Sequence, residues 1–374
     1  MEYIERINTA LKPRIDEDLD KTVLDLFAGC GGLSLGFEAA GFKTIGYEKL
    51  EDASKTYSNN LIGTCHTQEL SIDTVYPNAD IVIGGPPCQP FSVGGKQLGL
   101  KDSRDGFPIF ISAVEQVKPE VFLFENVRGL LYKNKWYLQE VMDHLEQLGY
   151  TISARLLNAK NFGVPQNRER VIVMGAKKRL HFPSNFPKKV TVGEALGELA
   201  TQIPENAKFL TASMDKYIAK YEKASKCVNP RDLYLDRPAR TLTCRNLAGA
   251  TGDMHRLRLP DGRRRRITTR EAARLQSFPD WFEFSGKETG IYNQIGNAVA
   301  PYFAFVLAKE IKKYFQPDYN EKNYPIRDEH NQLLLFNDPK IVSIEAIPIS
   351  IGGTKIQYLD TSNGINAYKS DYYN

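Results

Sequence analysis

Short apolar runs alternate along the first half of the chain with stretches whose apolar residues recur at helical spacing. Six runs predict β-strands, at residues 22–27, 42–48, 80–84, 121–125, 151–158 and 169–175. Four stretches between them predict helices, around residues 33–40, 53–60, 108–117 and 137–148. Such alternation is typical of a parallel sheet covered by helices. The predicted fold class is therefore α/β, with a doubly wound, mostly parallel sheet.

The pattern weakens after Lys177, where segments rich in Pro, Lys and Asn continue to about Arg266. We expect a second, smaller and more irregular domain there. A helical run over 296–315 follows and is apolar enough to pack on the first domain. The residues beyond Gln316 are polar, apart from one strand-like piece at 340–351. The chain therefore divides into a first domain at 1–178, an irregular domain at 179–289, a returning helix at 290–316 and a C-terminal extension at 317–374.

The composition narrows the class of protein. The 374 residues are 42% hydrophobic and 25% charged, as in ordinary globular proteins. No apolar run reaches the roughly 18 residues of a membrane helix, and residues 1–21 are charged rather than signal-like, so we expect a cytoplasmic protein without a membrane partner. The five cysteines include no Cys-x-x-Cys pair. The sequence therefore indicates neither a disulfide framework nor a metal site.

Positive charge is concentrated in one segment, although the net charge is only +4. Residues 255–274 contain eight arginines and two acidic residues, Asp261 and Glu271. Four of the arginines are consecutive, at 263–266, and follow the turn at 260–262. A solvated charged face could have this composition, but four adjacent arginines repel one another unless a polyanion is present. The segment therefore favours contact with DNA phosphates.

A glycine-rich turn follows the first predicted strand. The sequence Asp25-Leu26-Phe27-Ala28-Gly29-Cys30-Gly31-Gly32 leads into the first helix, where glycines let a ligand approach the backbone. Ser34 breaks the Gly-x-Gly-x-x-Gly pattern, so no pyrophosphate is implied. A tight turn without a ligand is the competing interpretation, but Glu48 ends the second strand about 20 residues later, where an acid meets ribose hydroxyls. The two features predict an adenosine-bearing cofactor.

One cysteine lies in a turn that suits a nucleophile. Cys88 follows Gly84-Gly85-Pro86-Pro87 at the end of the third predicted strand, and the prolines fix the backbone. A free thiol has a pKa near 8.5, so a nearby positive charge would have to favour the thiolate. A half-buried structural cysteine is the commoner alternative, but the stiff turn argues against it. The loop at 93–99 has the glycine content of a mobile lid, and a solvated turn would look similar.

Two further charged segments flank predicted strands. Glu125-Asn126-Val127 ends the fourth strand, and Gln166-Asn167-Arg168-Glu169-Arg170 opens the last. A structural acid and a solvated ladder of salt bridges are the competing interpretations. However, the carboxyl ends of four strands then carry Asp25, Glu48, Cys88 and Glu125. In an open doubly wound sheet, ligands bind at that edge.

These segments and their order resemble the cytosine-C5 DNA methyltransferase family of the bacterial restriction-modification type. The resemblance extends from Thr22 to about Phe315. Residues 25–32 are similar to the motif that holds S-adenosylmethionine, and Glu48 is similar to the ribose-binding acid. Other segments resemble the nucleophile, Glu-Asn-Val, Gln-x-Arg-x-Arg and last two motifs, at Pro87-Cys88, 125–127, 166–170, 270–279 and 294–299.

The resemblance implies an enzyme that methylates C5 of a flipped cytosine in duplex DNA and protects the host from a cognate restriction enzyme. It implies that the Cys88 thiolate attacks C6, while Glu125 holds N3 and the amine, Arg170 binds O2 and Arg168 supports the site. It implies that S-adenosylmethionine is bound by Phe27, Ala28, Gly29, Cys30, Gly31, Gly32, Glu48, Lys49, Asn297 and Ala298. It makes 179–289 a target-recognition domain, with expected DNA contacts at Arg245, Asn246, Arg256, Arg258, Arg263, Arg264 and Arg265.

The chain also departs from the family pattern. Lys49 stands where a bulky apolar residue often packs on adenine, and Glu69 is the nearest counterpart of an acid that contacts the adenine amine. An RNA cytosine methyltransferase of the branch that modifies tRNA is the main alternative, but its usual Cys-Phe-Thr element is absent. A catalytically silent nucleic-acid-binding module would have lost the nucleophile or the glycines, and this chain keeps both. A monomer is the simplest expectation.

Overall fold

A computed structural model of the protein describes residues 2–87, 105–132, 134–205, 207–224, 232–249 and 253–320. The predictions made for Cys88, for the loop at 93–99 and for the strand-like piece at 340–351 lie outside these residues. All described residues belong to one compact unit, so the proposed division at 178 stays a prediction. No helix within the described ranges is long and apolar enough to cross a membrane.

The described strands are, in chain order, β1 (Thr22–Leu26), β2 (Lys43–Glu48), β3 (Thr64–Thr67), β4 (Ile81–Gly84), β5 (Val121–Val127), β6 (Thr151–Asn158), β7 (Gln166–Asn167), β8 (Glu169–Ala176), β9 (Ala239–Arg240), β10 (Arg256–Arg258) and β11 (Arg264–Arg266). Seven of these form a central sheet in the order β3-β2-β1-β4-β5-β8-β6. Strand β8 is antiparallel to β5 and β6, and the other neighbours in the sheet are parallel. The predicted mostly parallel α/β sheet is confirmed.

The described α-helices are α1 (Tyr3–Ala10), α2 (Gly32–Ala40), α3 (Glu51–Asn60), α4 (Phe107–Val117), α5 (Lys135–Gln147), α6 (Val192–Leu196), α7 (Ala212–Ala224), α8 (Cys244–Ala248), α9 (Thr269–Leu275), α10 (Glu288–Asn297) and α11 (Pro301–Tyr314). Short 3₁₀ helices lie at Arg128–Leu131, Ala159–Phe162 and Gly197–Ala200. All six predicted strands and the four predicted early helices are present, with ends shifted by at most a few residues. The edge strand β3 was not predicted, because its residues Thr64–Thr67 are polar and largely exposed.

The single helix predicted over 296–315 is wrong. Helix α10 ends at Asn297, and α11 begins at Pro301 after an extended connection. Proline disfavours helical backbone in the residue before it, and its ring suits the first position of a helix. Ala300 accordingly has an extended backbone, with ψ near 120°. The break leaves backbone carbonyls before α11 that accept hydrogen bonds from outside the helices, such as Ala298 O from Gln276 Nε2 at 2.7 Å.

The centre of the sheet is apolar on both faces because helices cover both. All four residues of β4 and four of the five residues of β1 are buried, and most of them are aliphatic, which is the pattern of parallel strands in doubly wound sheets. Helix α2 is buried along its whole length, and α11 packs along it. The irregular segment after β8 joins this body through a short parallel pairing of β7 with β9. That pairing brings the residues after β9 next to the start of β8.

Candidate active site

The carboxyl ends of β1, β2, β4 and β5 meet at one edge of the sheet, since these strands are parallel. Asp25 lies near the end of β1, Glu48 ends β2, and Glu125 lies near the end of β5. The chain leaves β4 through Gly85, Pro86 and Pro87, immediately before Cys88. The structure therefore brings the predicted carboxylates to the edge from which the Cys88 turn departs.

Glu125 and Arg170 form a nearly buried ion pair at this edge. Arg170 Nε lies 2.6 Å from Glu125 Oε1, and the side chains are only 12% and 11% exposed for Glu125 and Arg170, respectively. The register explains the contact: antiparallel β8 places Arg170 opposite Val127, beside the end of β5. A side chain at Gly85 would place its Cβ 4.0 Å from Glu125 Oε2, so the glycine leaves space beside the carboxylate. The Glu125 carboxylate can accept a hydrogen bond, and the Arg170 guanidinium beside it can donate one. Together they suit a planar ring that carries an amine and a carbonyl side by side.

The turn after β1 has the backbone of a ligand-binding loop. Phe27 and Gly29 both have positive φ, at 59° and 57°. A Cβ at Gly29 would meet no atom within 4 Å, so this part of the turn borders open space. Glu48 Oε2 accepts a hydrogen bond from Gly29 N at 2.9 Å, and its Oε1 accepts one from Leu50 N at 2.8 Å. The acid predicted to bind ribose is thus fixed against the glycine turn, with lone pairs left for a diol.

A buried hydrogen-bond network supports this turn. Ser34 Oγ donates to Asp25 Oδ2 at 2.7 Å, and the Tyr57 hydroxyl lies 3.1 Å from Ser34 Oγ and 2.7 Å from Thr44 Oγ1. Thr44 Oγ1 in turn donates to the buried carboxylate of Glu38 at 2.6 Å. Burial raises the pKa of Asp25 to about 7, against the bond from Ser34. Sequence reasoning counted Ser34 only as a break in a glycine pattern and missed this role.

The other predicted cofactor residues lie around the turn in different ways. The Cys30 thiol is buried, which raises its pKa to about 12, and it donates to Gln294 O at 3.7 Å. Only the backbone of Cys30 therefore faces the turn. Lys49 Nζ forms an exposed ion pair with Glu69 Oε1 at 3.1 Å, which joins the residues after β2 and β3. Asn297 is exposed at the end of α10.

Arg168 cross-links segments behind the Glu125–Arg170 pair. Its guanidinium is buried and donates to three backbone carbonyls, at 2.8 Å to Leu242, 3.3 Å to Gly296 and 2.9 Å to Ala298. Burial, followed by the positive charge of Arg170, lowers its pKa to about 9. These bonds join the start of β8 to the segment after β9 and to the end of α10. The geometry agrees with a supporting role for Arg168.

The structure does not place three of the expected DNA contacts where DNA could reach them. Arg256 is fully buried between Glu222 and Asp232, at 3.1 and 2.8 Å, and Arg265 is fully buried against Glu271 at 2.6 Å. Asn246 is buried and caps α8 in a reciprocal pair with Thr243. These three expectations are therefore corrected.

The repulsion argument failed for Arg256, Arg258 and Arg264 because their partners are distant in sequence. Strands β10 and β11 are antiparallel and bring the arginines next to acidic side chains from other segments. Arg264, for example, pairs with Asp215 at 2.9 Å and Asp232 at 3.0 Å, and only 17% of its side chain is exposed. The other three predicted contacts do reach solvent. Arg245, Arg258 and Arg263 are 84%, 53% and 55% exposed, respectively.

A doubly wound sheet with a glycine turn, a fixed acid and a nearly buried Glu–Arg pair at one edge is typical of α/β enzymes, which bind their ligands at that edge. The family model for C-5 cytosine-specific DNA methylase matches residues 21–313. The chain therefore belongs to the C-5 cytosine-specific DNA methylase family. The resemblance stated from the motifs is confirmed.

Two curated relatives match most of the chain. Type II methyltransferase M.AplI of Arthrospira platensis is 56% identical and aligns with 83% of this chain and 91% of its own length. Type II methyltransferase M.NgoFVII of Neisseria gonorrhoeae is 33% identical, over 84% of this chain and 93% of its own.

Solved structures share the fold. A mutant of Spodoptera frugiperda DNMT2 has a TM-score of 0.61 at 18% identity, covering 79% of this chain and 99% of its own. The Entamoeba histolytica methyltransferase EhMeth has a TM-score of 0.60 at 19% identity, covering 79% and 98%. At these identities the likeness supports the fold alone.

Proposed function

We propose that this protein is a site-specific DNA (cytosine-5)-methyltransferase that modifies a flipped cytosine in duplex DNA. The observation that carries the proposal is the nearly buried Glu125–Arg170 pair, which lies at the sheet edge from which the chain leaves β4 toward Cys88. The names of the relatives M.AplI and M.NgoFVII support a role in a Type II restriction-modification system. There the enzyme protects host DNA from a cognate restriction endonuclease, its partner in function rather than contact.

The residues at the end of β1 fit S-adenosylmethionine. The open space beside Gly29 admits a ligand, and the carboxylate of Glu48 is held where it can accept bonds from a ribose diol. No phosphate-binding glycine pattern is present, which suits a nucleoside whose remainder is an amino acid. When bound, this cofactor supplies an electrophilic methyl group on a sulfonium sulfur. Phe27, Lys49, Asn297 and Ala298 complete the proposed site.

The side chains of this chain divide the work on cytosine. The Cys88 thiolate forms a bond to C6, and the electron pair of the C5–C6 double bond moves toward C5, which can then accept a methyl group. Glu125 holds N3 and the exocyclic amine, and Arg170 stabilises the negative charge that grows at O2. Loss of the C5 proton to a base and departure of the Cys88 thiolate from C6 then restore the aromatic ring. Arg168 holds the backbone behind Arg170.

C6 of a stacked base is out of reach of the thiolate. The duplex DNA substrate must therefore be opened before the reaction. Flipping the target base costs a few kcal/mol and exposes it to the pocket. The exposed arginines Arg245, Arg258 and Arg263 are the proposed phosphate contacts of the recognition segment. The protein acts as a cytoplasmic monomer in this proposal.

Bisulfite sequencing tests the proposal directly. The chain is expressed in cells that lack cytosine methylation, and plasmid DNA is sequenced after conversion. We expect protected cytosines in one short sequence context, and none with Cys88→Ser, whose product should still bind DNA. The proposal is contradicted if every cytosine is converted in plasmid from cells that express the wild-type chain, or if Cys88→Ser protects the same cytosines equally well. Transfer of labelled methyl groups to tRNA but not to DNA would support the RNA alternative instead.

A further inference from the structure

Two backbone carbonyls in the turn before Cys88 are each held from outside the turn. Asn126 Nδ2 donates to Pro86 O at 2.9 Å, and Gly106 N donates to Pro87 O at 2.9 Å. The Asn126 amide is itself oriented, because Val127 N donates to its Oδ1 at 2.8 Å. The two prolines fix their own φ angles as well. The backbone that leads into Cys88 is therefore constrained at both prolines.

Gly106 touches this turn more closely than any other residue type would allow. A Cβ at position 106 would lie 2.4 Å from Pro87 Cδ and 2.9 Å from Pro87 N. Its φ is −85°, which every residue adopts, so the need for glycine comes from space alone. A proline ring and a backbone nitrogen cannot rotate aside as a long side chain can. Any side chain at position 106 must therefore push Pro87 away.

The same Cβ would also lie 3.1 Å from Phe27 Cζ. Phe27 belongs to the cofactor turn, where its φ of 59° is in the left-handed region. Gly106 thus lies between the turn that precedes the nucleophile and the turn that is proposed to bind the methyl donor. It also immediately precedes α4, whose first residue Phe107 is fully buried, so it cannot easily yield. Gly106 is itself buried, and the short contact is made at the start of a helix.

We propose that Gly106 is a positioning residue that sets the separation between the nucleophile turn and the cofactor turn, with Asn126 fixing the nucleophile turn at a second point. The inference rests on the proposed methyl transfer from S-adenosylmethionine. Displacing a reacting group by about 1 Å costs on the order of 100-fold in rate, even when binding is unaffected. Gly106→Ala should therefore lower kcat by roughly 10- to 100-fold, with little change in affinity for cofactor or DNA.

Gly129→Ala is the matched control. Gly129 lies close to the same edge, just after Val127, but a Cβ there would meet only Val127 Cγ2, at 4.0 Å. Both variants are purified, and methyl transfer to duplex DNA is measured at saturating substrates. S-adenosylhomocysteine binding is measured by calorimetry, and covalent capture is measured on DNA containing 5-fluorocytosine. We expect slow transfer and slow capture for Gly106→Ala, wild-type rates for Gly129→Ala, and similar cofactor affinity in both.

Asn126→Asp tests the hydrogen bond from Asn126 to Pro86 O without adding bulk. It keeps the acceptor for Val127 N and removes the donor to Pro86 O, so we expect a lower kcat again. Because both changes act on one turn, their effects should not add in the double variant. Equal kcat for Gly106→Ala and Gly129→Ala overturns the proposal. If Gly106→Ala does not fold, a folded Asn126→Asp with wild-type kcat overturns it. A wild-type enzyme that transfers no methyl group to cytosine refutes the proposed function instead.

Discussion

Arg265 provides the sharpest test of which arginines stabilise the fold and which bind DNA. Its guanidinium donates to both carboxylate oxygens of Glu271, at 2.8 and 2.6 Å, and both side chains are buried. Arg265→Ala would leave the Glu271 charge buried. Removing one partner of a buried pair costs about 3–5 kcal/mol of folding free energy. Glu271 keeps its bond from Thr268 N at 2.7 Å, which holds part of that charge, so we expect a loss near the lower end, about 3 kcal/mol.

Urea unfolding followed by circular dichroism measures this loss, with Arg263→Ala as the matched control. Arg263 is two positions away, is 55% exposed, and contacts Asp261 and the ring of Phe209 at the surface, so its removal should cost about 1 kcal/mol. Arg263→Ala should instead weaken DNA binding. The reasoning is refuted if Arg265→Ala unfolds at the wild-type urea concentration while losing DNA affinity. In that case Arg265 would serve DNA directly and its buried pair would be unimportant.

Three further predictions concern the site and its surroundings. Glu125→Gln should lower kcat by roughly 100-fold or more without loss of folding, measured by methyl transfer at saturating substrates, and an unchanged kcat would remove Glu125 from the mechanism. Burial raises the pKa of Asp25 from 3.8 to about 7, so the folded protein binds more protons than the unfolded chain and loses stability as pH rises from about 4 to 7. Asp25→Asn should lack this loss when the free energy of unfolding is measured by urea titration at several pH values. A variant with the same pH dependence as the wild type would contradict the prediction. Arg258→Ala should reduce the slope of log binding constant against log salt by about 1, and an unchanged slope would exclude a phosphate contact.

Much of the fold could be predicted because the strands that matter are buried on both faces. Residues 81–83 of β4 and 121–124 of β5 are apolar without interruption, so the ends of these runs are visible in the sequence, although Asp25 interrupts the apolar residues of β1. Glu125 is the first polar residue after its apolar run and Glu48 ends β2, which is why both could be named from the sequence as candidates. Strand β3 gave no such signal, since its exposed side chains Thr64–Thr67 are polar.

Partners that are distant in sequence could not be predicted. Arg256, Arg258 and Arg264 look unpaired within their own segment, and the acids that pair with them are Asp215, Glu222 and Asp232. Nothing in the local pattern reports that these segments meet. The same limit hid the contact of Gly106 with Pro87, because the two residues are separated by the loop that contains Cys88.

The direction of one strand decides whether this edge of the sheet can be a catalytic site. In a fully parallel sheet, the residues that open the last strand would lie at the opposite edge from Glu125. Strand β8 is inserted antiparallel beside β5, so its first residues lie at the carboxyl ends of the parallel strands. Arg170 can reach Glu125 for that reason alone, and Arg168, two residues earlier, can hold the backbone behind it. A charged segment at the start of a strand indicates a functional edge only once that strand is known to run against its neighbours.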